Sequence, residues 1–341
     1  MDDFTDFGQL QELLGSILGS NEMSFSELVR QLQAGDFQTV KNNLGQYLYG
    51  CLKNGELLHL SDYAGVLMLV LLSALLRAAG QAFENRSVTV FSGIMIQMLM
   101  VVQLAALFRS FLVQTEQYLE NGISFAGALF PVLAAAAAAG GETVSAVGIY
   151  ASAASIISLV SRVCLYILLP GISIFLIITL LDSIMPEALF SGLSGLLKKG
   201  IGLLMKLSFA SVAGLQVIQM MVLPKADSLR RQTLLKTASM IPGAGGLAET
   251  AAAVLWESSS LLKGSIGAAG MLCILFICLL PAIRIALVSA LYHIMSAAVL
   301  PAADKKISRC LAGFAQSLEY LVKVTCLCAV ILLLMTAMAA W

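Results

Sequence analysis

The sequence predicts an all-α protein, a polytopic membrane helical bundle of about six to eight spans with two internal repeats containing Pro/Gly-broken helices. Of the 341 residues, 59% are apolar and only 12% are charged, whereas soluble domains have about 45–50% and about 25%. Long charge-free runs recur, and one segment repeats at an offset of 111 residues. This composition excludes a soluble enzyme, a disordered chain and a nucleic-acid-binding domain, so we expect the lipid bilayer, and no nucleic acid, as a partner.

Residues 1–62 are predicted to form an acidic, helical N-terminal head. They contain nine acidic and three basic residues, a net charge of −6, and the remaining residues carry +6. Ser24 and Glu27 have the spacing of a capping box ahead of an amphipathic helix. The head is either a small helical cap lying on the membrane or a docking module for a partner. Met1–Gly15 shows no secretory signal, and the side of the membrane on which the head lies stays open.

The membrane body begins with linking transmembrane helices in residues 63–122. A span needs about 20 mostly apolar residues, because a helix rises about 1.5 Å per residue across about 30 Å of hydrocarbon. The Ala-rich run 121–141 and the Ala/Ser-rich run 143–161 gain little from lipid contact, so we expect them to be buried among other helices or re-entrant. Eight charge-free runs reach 18 residues, namely 87–108, 121–141, 143–161, 163–181, 207–224, 264–283, 285–303 and 324–341.

The rest of the body is predicted to consist of membrane repeat 1, residues 123–223, and membrane repeat 2, residues 235–341. The heptapeptide Leu168–Ile174 (LLPGISI) resembles Leu279–Ile285 (LLPAIRI) at the offset of 111. We therefore expect each repeat to contain a Pro/Gly-broken segment, a long Pro-interrupted helix, a basic loop and a closing helix. The basic loops would contain Lys198 and Lys199 in the first repeat and Lys305 and Lys306 in the second.

Prolines and glycines mark the candidate functional positions of both repeats. Pro131 maps onto Pro242 at the same offset, and a glycine pair follows each. Paired broken helices in the two halves of a transporter often mark a pathway or binding site; alternatively, the prolines only kink helices for packing. Arg284, between two long uncharged runs, marks either a turn between helices or a polar cavity or subunit contact. The candidate broken-helix or pathway positions are Pro131, Gly140, Gly141, Pro170, Pro242, Gly245, Gly246, Pro281 and Arg284.

The sequence shows no constellation of catalytic residues, so we expect no enzyme activity, no cofactor and no metal. The two histidines, His59 and His293, lie far apart in the chain, and the seven cysteines contain no Cys-x-x-Cys pair. Gly264, Gly267 and Gly270 form a small-residue face suited to close helix contact.

Two motifs carry a resemblance to a known family. The stretch from Lys236 to Gly246 (KTASMIPGAGG) and the later Pro301–Lys305 (PAADK) are similar to the stage III sporulation protein AE family, and the resemblance covers nearly the whole chain. It implies a permease-like integral membrane subunit of a secretion-like channel complex between mother cell and forespore, required for endospore formation and lying in the mother-cell membrane around the forespore.

The same resemblance implies a set of partners. These are the other stage III A-operon membrane subunits, the ring-forming proteins and the ATPase of that complex and, indirectly, the stage II Q protein. It implies no catalytic residues. The alternative is a stand-alone secondary transporter with inverted or parallel repeats, built around the same broken helices.

Overall fold

The computed structural model describes residues 8–18, 24–36, 38, 39, 42, 45, 60–82, 86–139, 143–185, 190–239, 245–299 and 305–340. These residues contain no strand. They form the α-helices α1 Gly8–Leu18, α2 Phe25–Gln33, α3 Leu60–Ala82, α4 Arg86–Ala139, α5 Thr143–Val163, α6 Leu169–Ile184, α7 Ser191–Ser239, α8 Gly245–Val299 and α9 Lys305–Ala340. A π-helical segment, Cys164–Leu168, joins α5 to α6.

Within the described residues, five helical segments are long and apolar enough to cross a membrane. A shorter apolar segment, Ala64–Leu75, lies in α3. The protein is therefore a multi-pass, all-α membrane protein, which confirms the predicted fold class. The five segments are Gly93–Ala139, Ala146–Ile184, Gly192–Val217, Ser260–Val299 and Lys305–Ala340.

These segments are fewer and longer than the predicted six to eight spans. An isolated charge such as Arg284 divides a charge-free run in the sequence, but it does not interrupt the backbone hydrogen bonds of a helix. Helix α4 has 54 residues, a length of about 81 Å at 1.5 Å per residue. Runs 87–108 and 121–141 therefore share α4, runs 143–161 and 163–181 share the rod from α5 to α6, and run 264–283 shares α8 with most of 285–303.

Helix α9 lies at the centre of the bundle. It packs most extensively on α8 and also contacts α4, α6 and α7. Leu311, Phe314 and Leu318, in its first half, are fully buried. The predicted basic loop around Lys305 is instead the first turn of this helix.

The head helices dock on the bundle through their apolar faces. Helix α1 contacts α4, and α2 contacts α8. Phe25 is fully buried, and its ring meets the Phe125 ring edge-on at a centroid distance of 6.3 Å. The predicted capping box is not formed, because the Ser24 hydroxyl bonds the Ser26 hydroxyl and the Glu27 carboxylate pairs with Arg30 at 2.9 Å. The predicted domain boundaries stay predictions; those at residues 123 and 223 fall inside α4 and α7.

Candidate functional site

Glycines permit close packing where α4, α8 and α9 meet. A Cβ on Gly267 would overlap the Ala340 side chain, and one on Gly270 would overlap the Leu129 side chain. A Cβ on Gly264, by contrast, would meet no atom within 4 Å. The small-residue face predicted from the sequence is thus confirmed at Gly267 and Gly270 but wrong at Gly264, which faces open space.

Helices α6 and α9 pack in antiparallel fashion through small and aromatic side chains. The Phe175 and Tyr320 rings meet edge-on with centroids 5.3 Å apart. Further along α6, Thr179 lies against Gly313, where a Cβ would overlap the threonine methyl group. As the residue number rises along α6 it falls along α9, so the two helices run in opposite directions.

Buried serines join α8 to α9. The Ser296 hydroxyl donates to the Ser308 carbonyl and the Ser308 hydroxyl donates to the Ser296 carbonyl, both at 2.8 Å. Two turns away, seven residues earlier on α8 and seven residues later on α9, the Ser289 hydroxyl donates to the Ala315 carbonyl at 2.8 Å. Hydrogen bonds between helices in a membrane protein stabilise by about 0.6–2 kcal/mol each. They fix both the antiparallel direction and the axial register of this helix pair.

Pro170 lies in the first turn of α6, directly after the π-helical segment. The Leu169 amide donates to the Cys164 carbonyl, five residues earlier rather than four. This wider turn makes room for the proline ring, which would otherwise clash with the carbonyl of the preceding turn. The chain therefore passes Pro170 as a continuous rod. Pro170 precedes the Phe175–Tyr320 contact by five residues, so the register places it near Val324.

Pro281 occupies the equivalent level on the other side of α9. It lies between Gly267, which faces Ala340, and Ser289, which bonds Ala315. Interpolation between these contacts also places Pro281 near Val324. The prolines of the two LLP segments thus lie at the same level on either side of the central helix, whereas the repeat itself stays a prediction.

The other candidate positions are distributed along the helices. Pro131 is exposed inside α4, and Pro281 is buried inside α8; both helices continue through these prolines. A role of these positions in a pathway stays a prediction. Gly245 and Gly246 are the first residues of α8, whereas Gly140, Gly141 and Pro242 lie outside the described residues.

Arg284 lies in the interior of α8, so it does not mark a turn between helices. The backbone hydrogen bonds of α8 continue past Arg284, although this charge divides the apolar run in the sequence. Its Nε atom is buried and has no hydrogen-bond partner within the described part of the chain. A buried guanidinium N–H without an acceptor is unfavourable, which suits the alternative interpretation of Arg284 as part of a polar cavity or subunit contact.

Polar groups at one end of the bundle satisfy the carbonyls that α6 leaves unpaired. The Gln97 side chain of α4 donates to the Ser183 carbonyl at 2.8 Å, and the Lys306 ammonium donates to the Ile184 carbonyl at 3.1 Å. A cation at a helix C-terminus also interacts favourably with the helix dipole. Our sequence interpretation missed Gln97, although a buried amide in a Met- and Leu-rich run is a signal for such a contact.

The described residues include no group of three or more His, Cys, Asp or Glu placed to hold a metal ion. Five of the six cysteines in this part of the chain, for example Cys273 and Cys328, are buried. They fill space between helices as small apolar side chains.

Comparison with known proteins gives one family. The model of the stage III sporulation protein AE family matches residues 23–341, a range that includes α2 to α9. No curated protein and no solved structure shows a match.

Proposed function

Because the chain belongs to the stage III sporulation protein AE family, we propose that it is a permease-like integral membrane subunit of the mother cell–forespore channel. Its role in sporulation and its association with other sporulation proteins follow from the family. The finer proposal places the protein in the mother-cell membrane around the forespore and gives it a non-enzymatic role. In that role it forms a passage together with neighbouring subunits.

A polar stripe on the outer surface of α9 carries this proposal. The stripe consists of Arg309, Gln316, Glu319 and Lys323, which recur at intervals of three, four and seven residues and so share one face of the helix. Glu319 and Lys323 are about half exposed and form an ion pair at 2.7 Å. Polar groups on a helix of a membrane bundle face water or a protein partner rather than lipid.

The direction of the stripe favours a shared channel over a self-contained transporter. Leu332, which approaches Gly122 of α4, lies about 170° around the α9 axis from the mean direction of the stripe, at 100° per residue. The stripe therefore points away from the α4 side of the bundle. A transporter encloses its substrate site between its own repeats, whereas an outward stripe needs neighbouring subunits to complete a passage. We propose the other stage III A-operon membrane subunits, the ring-forming proteins and the ATPase as these neighbours and, indirectly, the stage II Q protein.

The test is replacement of the stripe in an endospore-forming host. The triple variant Arg309→Leu, Glu319→Leu and Lys323→Leu should reach the membrane in normal amounts but lower the yield of heat-resistant spores by orders of magnitude. Glu27→Leu, which removes an exposed head charge, is the matched control and should sporulate normally. Normal spores from the triple variant would contradict the proposal, as would solute uptake by the purified protein alone in liposomes.

A further inference from the structure

Four cations project from neighbouring helices midway along the bundle. Arg162 lies on α5, and Lys198, Lys199 and Lys206 lie on α7, which packs on both α5 and α6. All four side chains are exposed, and none belongs to an ion pair within the described residues. We call these four residues the cationic patch.

A contact between α6 and α7 fixes the position of the patch along the bundle axis. Gly171, just beyond this segment, faces the side chain of Ile201 on α7 at 3.9 Å from an ideal Cβ. Helices α6 and α7 run in opposite directions, so Lys206 is displaced from this contact toward Arg162. The patch therefore extends over about 18 Å of the bundle axis.

Exposed apolar and aromatic side chains surround the patch. Tyr166 is 75% exposed beside Arg162, and Leu196 is 67% exposed beside the two adjacent lysines. Large apolar side chains are also exposed on both sides of this level, as at Tyr150 and Ile177. Cations and a tyrosine between apolar surfaces are the composition typical of a membrane–water interface.

Helix length requires such an interface part-way along the rod from α5 to α6. The apolar part of the rod, Ala146–Ile184, has 39 residues, a length of about 58 Å at 1.5 Å per residue. The hydrocarbon of a bilayer is about 30 Å thick. A continuous, roughly perpendicular rod of this length cannot lie wholly in the hydrocarbon, so a bilayer surface crosses it. The charges of the patch favour a crossing near its middle, since charged side chains avoid the hydrocarbon.

We propose that the cationic patch binds the phosphate groups of anionic phospholipids and marks the level at which a bilayer surface crosses the bundle. Unpaired cations at this level gain from an anionic leaflet, and Tyr166 and Leu196 anchor in the adjoining interface. The runs 143–161 and 163–181 then lie on opposite sides of this surface, and only one of them occupies the hydrocarbon.

Lipid binding tests the ligand. The purified full-length protein in neutral detergent is titrated with phosphatidylglycerol or phosphatidylcholine, and bound lipid is counted by native mass spectrometry. The variant Lys198→Gln, Lys199→Gln and Lys206→Gln should lose about tenfold or more of the affinity for phosphatidylglycerol. The control changes the head cations Arg30, Lys41 and Lys53 to Gln, an equal loss of charge, and should bind normally. Equal affinity of patch variant and wild type, or full displacement of the lipid by equimolar inorganic phosphate, would overturn the proposal.

Depth measurement in nanodiscs tests the level independently. Spin labels replace Tyr150, Tyr166 or Ile177 in a chain whose Cys51 and Cys326 are changed to serine. Oxygen and nickel accessibility should place position 166 among the headgroups, and one of positions 150 and 177 in hydrocarbon with the other in water. A label at 166 near the bilayer centre, or the same environment at 150 and 177, would refute the assigned level.

Discussion

Gly313→Ala tests whether α6 and α9 pack as closely as the structure indicates. A Cβ at this position would overlap the Cγ2 methyl of Thr179 and lie 3.4 Å from the Thr179 Cβ. A β-branched side chain has little χ1 freedom in a helix. The Thr179 hydroxyl also donates to the Phe175 carbonyl at 2.7 Å, so the methyl cannot rotate away without disturbing that hydrogen bond.

The expected change in the free energy of unfolding combines two opposing effects. Overpacking of a close contact costs about 1–3 kcal/mol, whereas Gly→Ala inside a helix gains about 1 kcal/mol. Gly313→Ala should therefore lose about 0–2 kcal/mol. The matched control is Gly127→Ala in α4, where a Cβ meets no atom within 4 Å and only the gain of about 1 kcal/mol remains. The effect of Gly→Ala on the free energy of unfolding should thus differ by about 1–3 kcal/mol between the two sites.

Thr179→Ser supplies the decisive second variant, because it removes the overlapping methyl and retains the hydroxyl. In the Gly313→Ala background it should recover most of the lost stability, although alone it should cost about 1 kcal/mol. The measurement is reversible unfolding by SDS in mixed micelles, followed by far-UV circular dichroism, as a double-mutant cycle. Our reasoning is refuted if Gly313→Ala and Gly127→Ala have the same free energy of unfolding. It is also refuted if the double variant Gly313→Ala, Thr179→Ser loses the sum of the two single losses.

Two further predictions concern the serine pair and the head. Ser296→Ala and Ser308→Ala should each lower the free energy of unfolding by about 0.6–2 kcal/mol. The double variant should lose less than the sum, since the two hydroxyls also contact each other at 3.1 Å and either single variant already removes that contact; strict additivity in the same SDS assay would contradict this. Phe25→Ala should release the head, because truncating a fully buried phenylalanine costs about 3–5 kcal/mol, so limited proteolysis should cleave residues 8–36 rapidly while α4 to α9 stay protected. Glu27→Ala, which removes an exposed ion pair worth at most about 1 kcal/mol, should leave cleavage unchanged, and equal cleavage of both variants would argue against head docking.

Several features of the fold were predictable because they depend on local chemistry. The all-α membrane class follows from composition, since lipid leaves an exposed backbone no partner except its own helix. The contact face at Gly267 and Gly270 was predictable from the spacing of small residues alone. Gly264 has the same spacing but faces open space, because which glycines meet a neighbour depends on where that neighbour lies.

The number of crossings could not be read in the same way. Charged residues such as Arg162 and Arg284 divide the apolar runs in the sequence, yet they lie within continuous helical rods. A helix tolerates a single charge wherever its side chain reaches a polar surface, and that surface exists only once the other helices are in place. Counting charge-free runs therefore overestimates the number of helices in this chain.

The sequence by itself determined that this protein is a helical membrane protein with an acidic head and a related pair of LLP segments, because these properties follow from composition and spacing. Only the tertiary structure decided that Pro170 and Pro281 flank the same turn of α9, that Ser296 and Ser308 bond each other, and that Arg309, Glu319 and Lys323 face outward. Each of these depends on the register between helices distant in the chain, which is set by the simultaneous packing of many side chains and not by any local pattern.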